Sequence, residues 1–200
     1  MVSLLSKPKK SSAGTAKDGQ LRIIGGSWRG RKLSFPAEQG LRPTGDRVRE
    51  TLFNWLAPHI NGARCADLFA GSGALGLEAL SRGAAHCDFL DTSTTASKRL
   101  REHLATLGAG ERGHCHACSA QQFLDGANGT YDIVFIDPPF SAGLVAPTCA
   151  QLDAAGVLGP HSLVYIESAD HEPPPEVPPN WSLHRDKSAG DVAYRLYEVS

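Results

Sequence analysis

Two short stretches hold residues whose types and spacing could do chemistry. Residues 131–140 read YDIVFIDPPF, an apolar run that ends in Asp137, Pro138, Pro139 and Phe140. Proline neither extends a sheet nor enters a helix interior, so the chain must leave the strand abruptly there. That rigid exit holds a carboxylate and an aromatic ring in fixed positions. An exocyclic amine on a nucleobase is a weak nucleophile, because its lone pair is delocalised into the ring. The Asp137 carboxylate and the Pro138 carbonyl could each accept one N–H and aim that lone pair at an electrophilic carbon, a task that depends on tight positioning. Phe140 offers a flat face on which an extruded base can stack, worth about 1–3 kcal/mol. Asp137 need not be a strong base, since the amine becomes acidic only as the new bond forms.

The second stretch, DLFAGSGALGLEAL (67–80), spaces Gly71, Gly73 and Gly76 as G-x-G-x-x-G between a strand-like and a helix-like segment. Glycines there let the backbone turn sharply and approach a ligand at the positive end of the helix. Asp91 lies twenty residues beyond Gly71, at the tip of the next expected strand, where a carboxylate can bind the two hydroxyls of a ribose. This much fits NAD as well as an adenosyl cofactor. Asp67 separates them: a carboxylate beside the loop repels a pyrophosphate and attracts the ammonium of a methionine moiety. With DPPF at the fourth strand, the donor expected is S-adenosylmethionine.

The elements that must position these residues alternate. Strands are expected at 64–69, 86–91, 112–117, 131–136 and 162–167, and helices at 74–82, 94–107, 119–125 and 143–156. That order predicts a parallel sheet with helices on both faces. In such folds ligands sit at the carboxyl ends of strands where the strand order reverses, so the glycine loop and DPPF face one crevice. WSLHRDK and DVAYRLYEV, after the Pro-rich stretch 171–180, read as a closing antiparallel hairpin. Three parts are expected: a loose basic tail over 1–20, a hairpin and helix over 21–58, and a cofactor domain over 59–200. Thr44 or Asp46 is placed to cap the helix of the second part.

Composition narrows the setting. The hydrophobic and charged fractions, 41% and 20%, are those of an ordinary globular chain. No apolar run approaches the roughly 20 residues that cross a bilayer, and MVSLLSKPKK is too short in its apolar part for an export signal. Five cysteines, an odd number, fit a reducing cytoplasm. Net charge is −1, yet residues 1–50 carry eleven Lys/Arg against four acids. A basic arm on an acidic body suits a polyanion partner, and nothing suggests more than a monomer.

These residues resemble the Rossmann-like class I methyltransferases that modify exocyclic amines. Five segments, RIIGGSWRGRKL (22–33), LRPTGDRVRETLFNWLAP (41–58), DLFAGSGALGLEALSRGA (67–84), FIDPPF (135–140) and NWSLHRDKSAGDVAYRLYE (180–198), together are similar to the bacterial 16S rRNA guanine-N2 methyltransferases, the family named for guanine 966 of small-subunit RNA. The resemblance implies an α/β fold with a seven-strand sheet of order 3-2-1-4-5-7-6, strand seven antiparallel. It implies S-adenosylmethionine as donor and an assembling small ribosomal subunit as substrate. Carried onto this chain, Asp67, Phe69, Ala70, Gly71, Ser72 and Gly73 line the methionine end, Asp91 and Thr92 the ribose, and Ser119 and Ala120 the adenine. Asp137, Pro138, Pro139 and Phe140 hold the target base. Arg22, Arg29, Arg31, Lys32, Arg42, Arg47 and Arg49 meet RNA phosphates. Apart from the resemblance, Trp28 is expected to touch substrate from its place between Gly26 and Arg29 in the basic hairpin. Two positions depart from the family pattern. The ribose strand commonly ends in Glu with a second acid two residues on, and here reads DTS; the adenine position, often Asn or Asp, is Ser119.

Other features invite proposals that the pattern discounts. HCHAC (114–118) suggests zinc, but strand alternation splits its side chains between two faces and no second ligand pair stands at zinc-finger spacing, so no metal is expected. Glu167 reads as a solvated strand end. Alternatives to an rRNA enzyme are an amino-methyltransferase acting on DNA or on a glutamine side chain, and a non-catalytic RNA-binding assembly factor. A sequence-specific DNA enzyme would want a larger recognition segment than this short basic one. An NAD oxidoreductase comes last, since no His, Tyr or Lys is placed for hydride chemistry.

Overall fold

The computed structural model describes residues 19–35 and 45–200. The expected tail, apart from its last two residues, and Thr44 and Arg42 lie outside the described residues. A two-stranded antiparallel ribbon, β1 (Gly19–Arg22) and β2 (Lys32–Phe35), is joined through a 3-10 turn at Gly26–Trp28. Gly19 and Gln20, expected in the tail, are paired in this ribbon. Helix α1 (Asp46–Leu56) follows, then β3 (Arg64–Asp67), α2 (Ala74–Ser81), β4 (His86–Leu90) and α3 (Thr94–Thr106). The chain continues through β5 (Gly113–His116), α4 (Ala120–Leu124), β6 (Tyr131–Ile136), α5 (Val145–Ala154), β7 (Leu158–Ala169), β8 (Trp181–Ala189) and β9 (Val192–Val199).

The seven main strands lie in the order β5-β4-β3-β6-β7-β9-β8, with β9 antiparallel to both neighbours. Counted from β3, this is 3-2-1-4-5-7-6, the order expected. The central strands β3, β4 and β6 are buried on both faces, as parallel strands in a doubly wound fold must be, whereas the edge strand β8 is mostly exposed. Alternation along β6 sends Ile133 and Phe135 to one core and Val134 and Ile136 to the other. The first core is packed by α1, α2, α3 and the ribbon; the second by α4 and α5.

Helix α1 departs from expectation at its start. Gly45 is its N-cap and no side chain caps it. Asp46 instead accepts from Arg22 Nη2 at 3.0 Å and from Arg49 Nη2 at 2.6 Å, tying the helix to the ribbon. Strand β7 is longer than the expected 162–167, because β9 pairs with it from Leu163 to Ala169. Glu167 is correspondingly no solvated end: it is 3% exposed and accepts from the Tyr165 hydroxyl at 2.8 Å.

Candidate active site

The glycine loop begins where β3 ends. Leu68 N–H donates to the Phe135 carbonyl and Ala70 N–H to the Leu90 carbonyl, so the loop is pinned between β6 and β4. Gly71 and Gly73 take φ of +50° and +79°, the left-handed region that disfavours side chains. A Cβ on Gly76 would lie 2.2 Å from the Phe89 ring, so the third glycine lets α2 pack on β4 rather than facing a ligand. Ala70, Ser72 and Gly73 are buried and Phe69 and Gly71 half-buried.

Asp67 is completely enclosed at the base of this loop. Its Oδ2 accepts from Gly76 N–H at 3.0 Å, whereas Oδ1 is buried with no hydrogen-bond partner among the described residues. Burial pushes its carboxyl up to about 7; the Gly76 and Phe69 N–H groups oppose this, and the nearby charges of Asp137 and Asp91 add to it. An unpartnered buried carboxylate oxygen in a field of two further acids is a site for a cation. The ammonium of S-adenosylmethionine fits that requirement, and a pyrophosphate does not.

Asp91 stands one residue past β4, its oxygens accepting from Gly71 N–H at 2.9 Å and Ser93 N–H at 2.7 Å. The loop and the ribose candidate are thus one hydrogen-bonded unit. Thr92 beside it is exposed. Ser93, where the family pattern often has an acid, caps α3 by accepting from Ala96 N–H. Ser119 caps α4 in a reciprocal box with Gln122, and Ala120 is buried behind it. Both departures from the family pattern therefore do helix-capping work, which serine performs as well as Asp or Asn.

Asp137 follows the end of β6, on the strand adjacent to β3. Asp137 is half-buried, Pro138 buried, Pro139 exposed and Phe140 38% exposed, in a 3-10 turn. The prolines do end the strand, and the phenylalanine ring faces solvent beside the acid's strand end. Asp67, Asp91 and Asp137 thus belong to one electrostatic neighbourhood on the carboxyl side of the sheet.

The basic ribbon divides into two groups. Arg22, Arg29, Arg31, Lys32 and Arg47 are exposed. Arg49 is not: it is 1% exposed, donating to Asp46, to the Arg22 carbonyl and, at 3.4 Å, to Glu78. It cannot meet phosphate, and its charge is used inside the protein. Trp28 is likewise 9% exposed, packed in the core beneath the Arg112 guanidinium at 5.4 Å. Neither acts as a substrate contact.

The protein partner of this buried charge is Glu78 on α2, fully enclosed. It accepts from Ile24 N–H at 2.9 Å, Gly25 N–H at 2.7 Å and Arg82 Nε at 2.8 Å, besides Arg49. Ser81 adds a bond to the Gly25 carbonyl and receives one from Trp28 N–H. Gly26 has φ +75°, and a Cβ there would lie 1.9 Å from the Ser81 carbonyl oxygen. The Gly-Gly turn is therefore the seat on which the ribbon is bolted to the helix that starts at the glycine loop.

The family described as Conserved hypothetical protein 95 matches residues 21–198. A relative from Escherichia coli strain K12, named Ribosomal RNA small subunit methyltransferase D, is 52% identical over 97% of this chain and 95% of its own length. The chain belongs to this family of methyltransferases. The Haemophilus influenzae relative of the same name is 44% identical over 95% of this chain and 99% of its own length. Among solved structures, the Escherichia coli methyltransferase candidate yhhF superposes with a TM-score of 0.85 at 52% identity, covering 91% of this chain and 99% of that one.

Family membership was legible in RIIGG and RPTGDRVRE, but the role of those segments was not. Ile24, Gly25 and Arg49 meet Glu78, an acid 53 residues from Gly25, and no local pattern reveals such a partner. Ser119 was readable: Ser-x-x-Gln before an apolar helix is a capping box.

Proposed function

We propose that the protein transfers a methyl group from S-adenosylmethionine to the exocyclic N2 of a guanine in 16S ribosomal RNA, guanine 966 by resemblance, within the assembling small subunit. The observation that carries this reading is the enclosed, unpartnered Asp67 oxygen in electrostatic reach of Asp137. One acid suits the cationic end of the donor; the other, with its Pro-Pro exit and Phe140, suits the acceptor. When bound, S-adenosylmethionine supplies an electrophilic methyl on a sulfonium.

The chain's own residues do the rest. Asp67 and the amides of 70–73 hold the methionine end, Asp91 and Thr92 the ribose, and Ala120 with the backbone at Ser119 the adenine. The Asp137 carboxylate and the Pro138 carbonyl accept the two N2–H bonds, while Phe140 stacks on the extruded base. As N2 gains the methyl it becomes acidic, and Asp137 or water takes the proton released. Residues 21–58, with Arg22, Arg29, Arg31, Lys32 and Arg47 exposed, serve as the RNA-binding part, and 59–200 as the catalytic domain. The protein acts as a cytoplasmic monomer in this reading; among the described residues no helix is long and apolar enough to cross a membrane.

The test uses methyl-labelled S-adenosylmethionine with unmethylated small-subunit particles, protein-free 16S RNA and duplex DNA, each with wild type and Asp137→Ala. Label recovered as N2-methylguanine in small-subunit RNA, and lost in the variant with donor binding kept, supports the reading. Label in DNA would sink the substrate assignment, and absence of donor binding would sink the enzyme.

A further inference from the structure

A second cluster of chemically capable side chains lies away from this crevice, on the face of β4 and β5 that carries α4. Asp88 of β4 is paired in register with His114 of β5. His86 and His116 stand two residues from these on the same strands, so alternation brings all four to one face. His86 Nε2 is 2.9 Å from Asp88 Oδ2, and His116 Nε2 is 2.7 Å from Oδ1. The His86 and His114 rings meet edge to face at 4.8 Å. One ligand atom from each of His86, Asp88 and His114 lies within 4.8 Å of the other two.

From this juxtaposition we propose that His86, Asp88 and His114 form a binding site for a zinc ion, clasping edge strand β5 to β4. Zinc takes imidazole and carboxylate ligands at about 2.0–2.2 Å, which sets ligand atoms about 3.3 Å apart in a tetrahedral site. The His86–Asp88 pair is already near that spacing, and the exposed His114 ring need only turn inward. The fourth position is left for water. His116 and Tyr131, whose hydroxyl donates to Asp88 Oδ2 at 2.8 Å, orient the carboxylate from outside the coordination sphere, the arrangement that commonly supports metal ligands. The opposing group is Arg64, 3.6 Å from Oδ2. Its side chain is 44% exposed and lies over the Tyr131 ring at 5.2 Å, so metal entry requires it to shift its charge away from Oδ2.

The test takes the full chain, stripped by chelator, and titrates it with zinc chloride by calorimetry and with cobalt chloride by absorption. One equivalent of zinc should bind, and cobalt should give the visible bands of a four-coordinate site. A His86→Ala/His114→Ala double variant, checked for wild-type circular dichroism, should bind at least about 100-fold more weakly, and His116→Ala about tenfold more weakly. Cys115→Ser/Cys118→Ser, which removes the nearby thiols, should bind as wild type. Saturable binding that survives in the histidine double variant, binding lost with the two cysteines, or no saturable binding at all would each overturn the site. None of these readouts involves methyl transfer, so the outcome is independent of the proposed reaction.

Discussion

Lowering the pH from 8 to 6 should weaken S-adenosylmethionine binding about tenfold, and the reason is Asp67. In the free protein burial holds this carboxyl near pH 7, so at pH 6 it is mostly neutral. A cationic ammonium placed against the unpartnered Oδ1 favours the carboxylate, and binding must therefore expel the proton. With a free-state value of about 7, the fraction ionised changes from about nine-tenths at pH 8 to about one-tenth at pH 6, which is the tenfold effect on affinity. Calorimetry at pH 6, 7 and 8, each in two buffers of different ionisation enthalpy, reads both quantities. Proton release should approach one per donor at pH 6 and nearly vanish at pH 8. Asp67→Asn should bind weakly at all three values with no linked proton. Affinity independent of pH in the wild type, or a slope that persists in Asp67→Asn, would refute the assignment of Asp67 to the cationic end. The same shift has a consequence for folding. Between 3.8 and about 7 the folded chain holds a proton that the unfolded chain has released, so this group's contribution to stability falls as pH rises through that window.

Glu78→Ala should cost about 3–5 kcal/mol in denaturant unfolding, because it leaves the Ile24 and Gly25 amides unpaired and removes the enclosed acid that faces Arg49 and Arg82; a loss under 1 kcal/mol would mean the network is incidental. Gly76→Ala drives a methyl into the Phe89 ring and should destabilise by about 1–3 kcal/mol, read as a lower Tm. Replacing Arg29, Arg31 and Lys32 together by alanine should leave Tm unchanged yet reduce the slope of log RNA affinity against log salt by about 2. Arg49→Ala, by contrast, should lower Tm first, which separates the buried arginine from its exposed neighbours.

What the sequence made legible follows from how local each signal is. The strand–glycine–helix segment and the Pro-Pro exit carry their own geometry, because positive φ and a missing N–H are properties of single residues. The uninterrupted apolar run Ile133 to Ile136, which suits a strand buried on both faces, is local in the same sense. Arg49 and Trp28 were misread because charge and aromaticity say what a side chain can touch and not what is there to be touched. Glu78 reaches Arg49, and Ser81 and Arg112 reach Trp28, and only the folded chain brings these residues together under the ribbon. HCHAC reveals no partners on its own for a related reason: His86 and Asp88 lie on the neighbouring strand, and only the register of β4 with β5 sets them beside His114. Glu167 looked like a terminus because β7 was expected to stop there, and β9 carries the pairing on to Ala169.

The placement of β9 also bears on how the protein is made. Synthesised after β8, it lies inside it, between β7 and β8, with most of its side chains buried. During translation β7 and β8 have no partner in common until residues 192–199 emerge, so β8 must wait unpaired. The ribbon, α1, α2 and the strands from β3 to β6 are free to assemble before then. A nascent chain stalled before residue 192 would thus display a frayed sheet edge at β7, a natural point of capture by holding chaperones. Losing those eight residues would detach two strands instead of one.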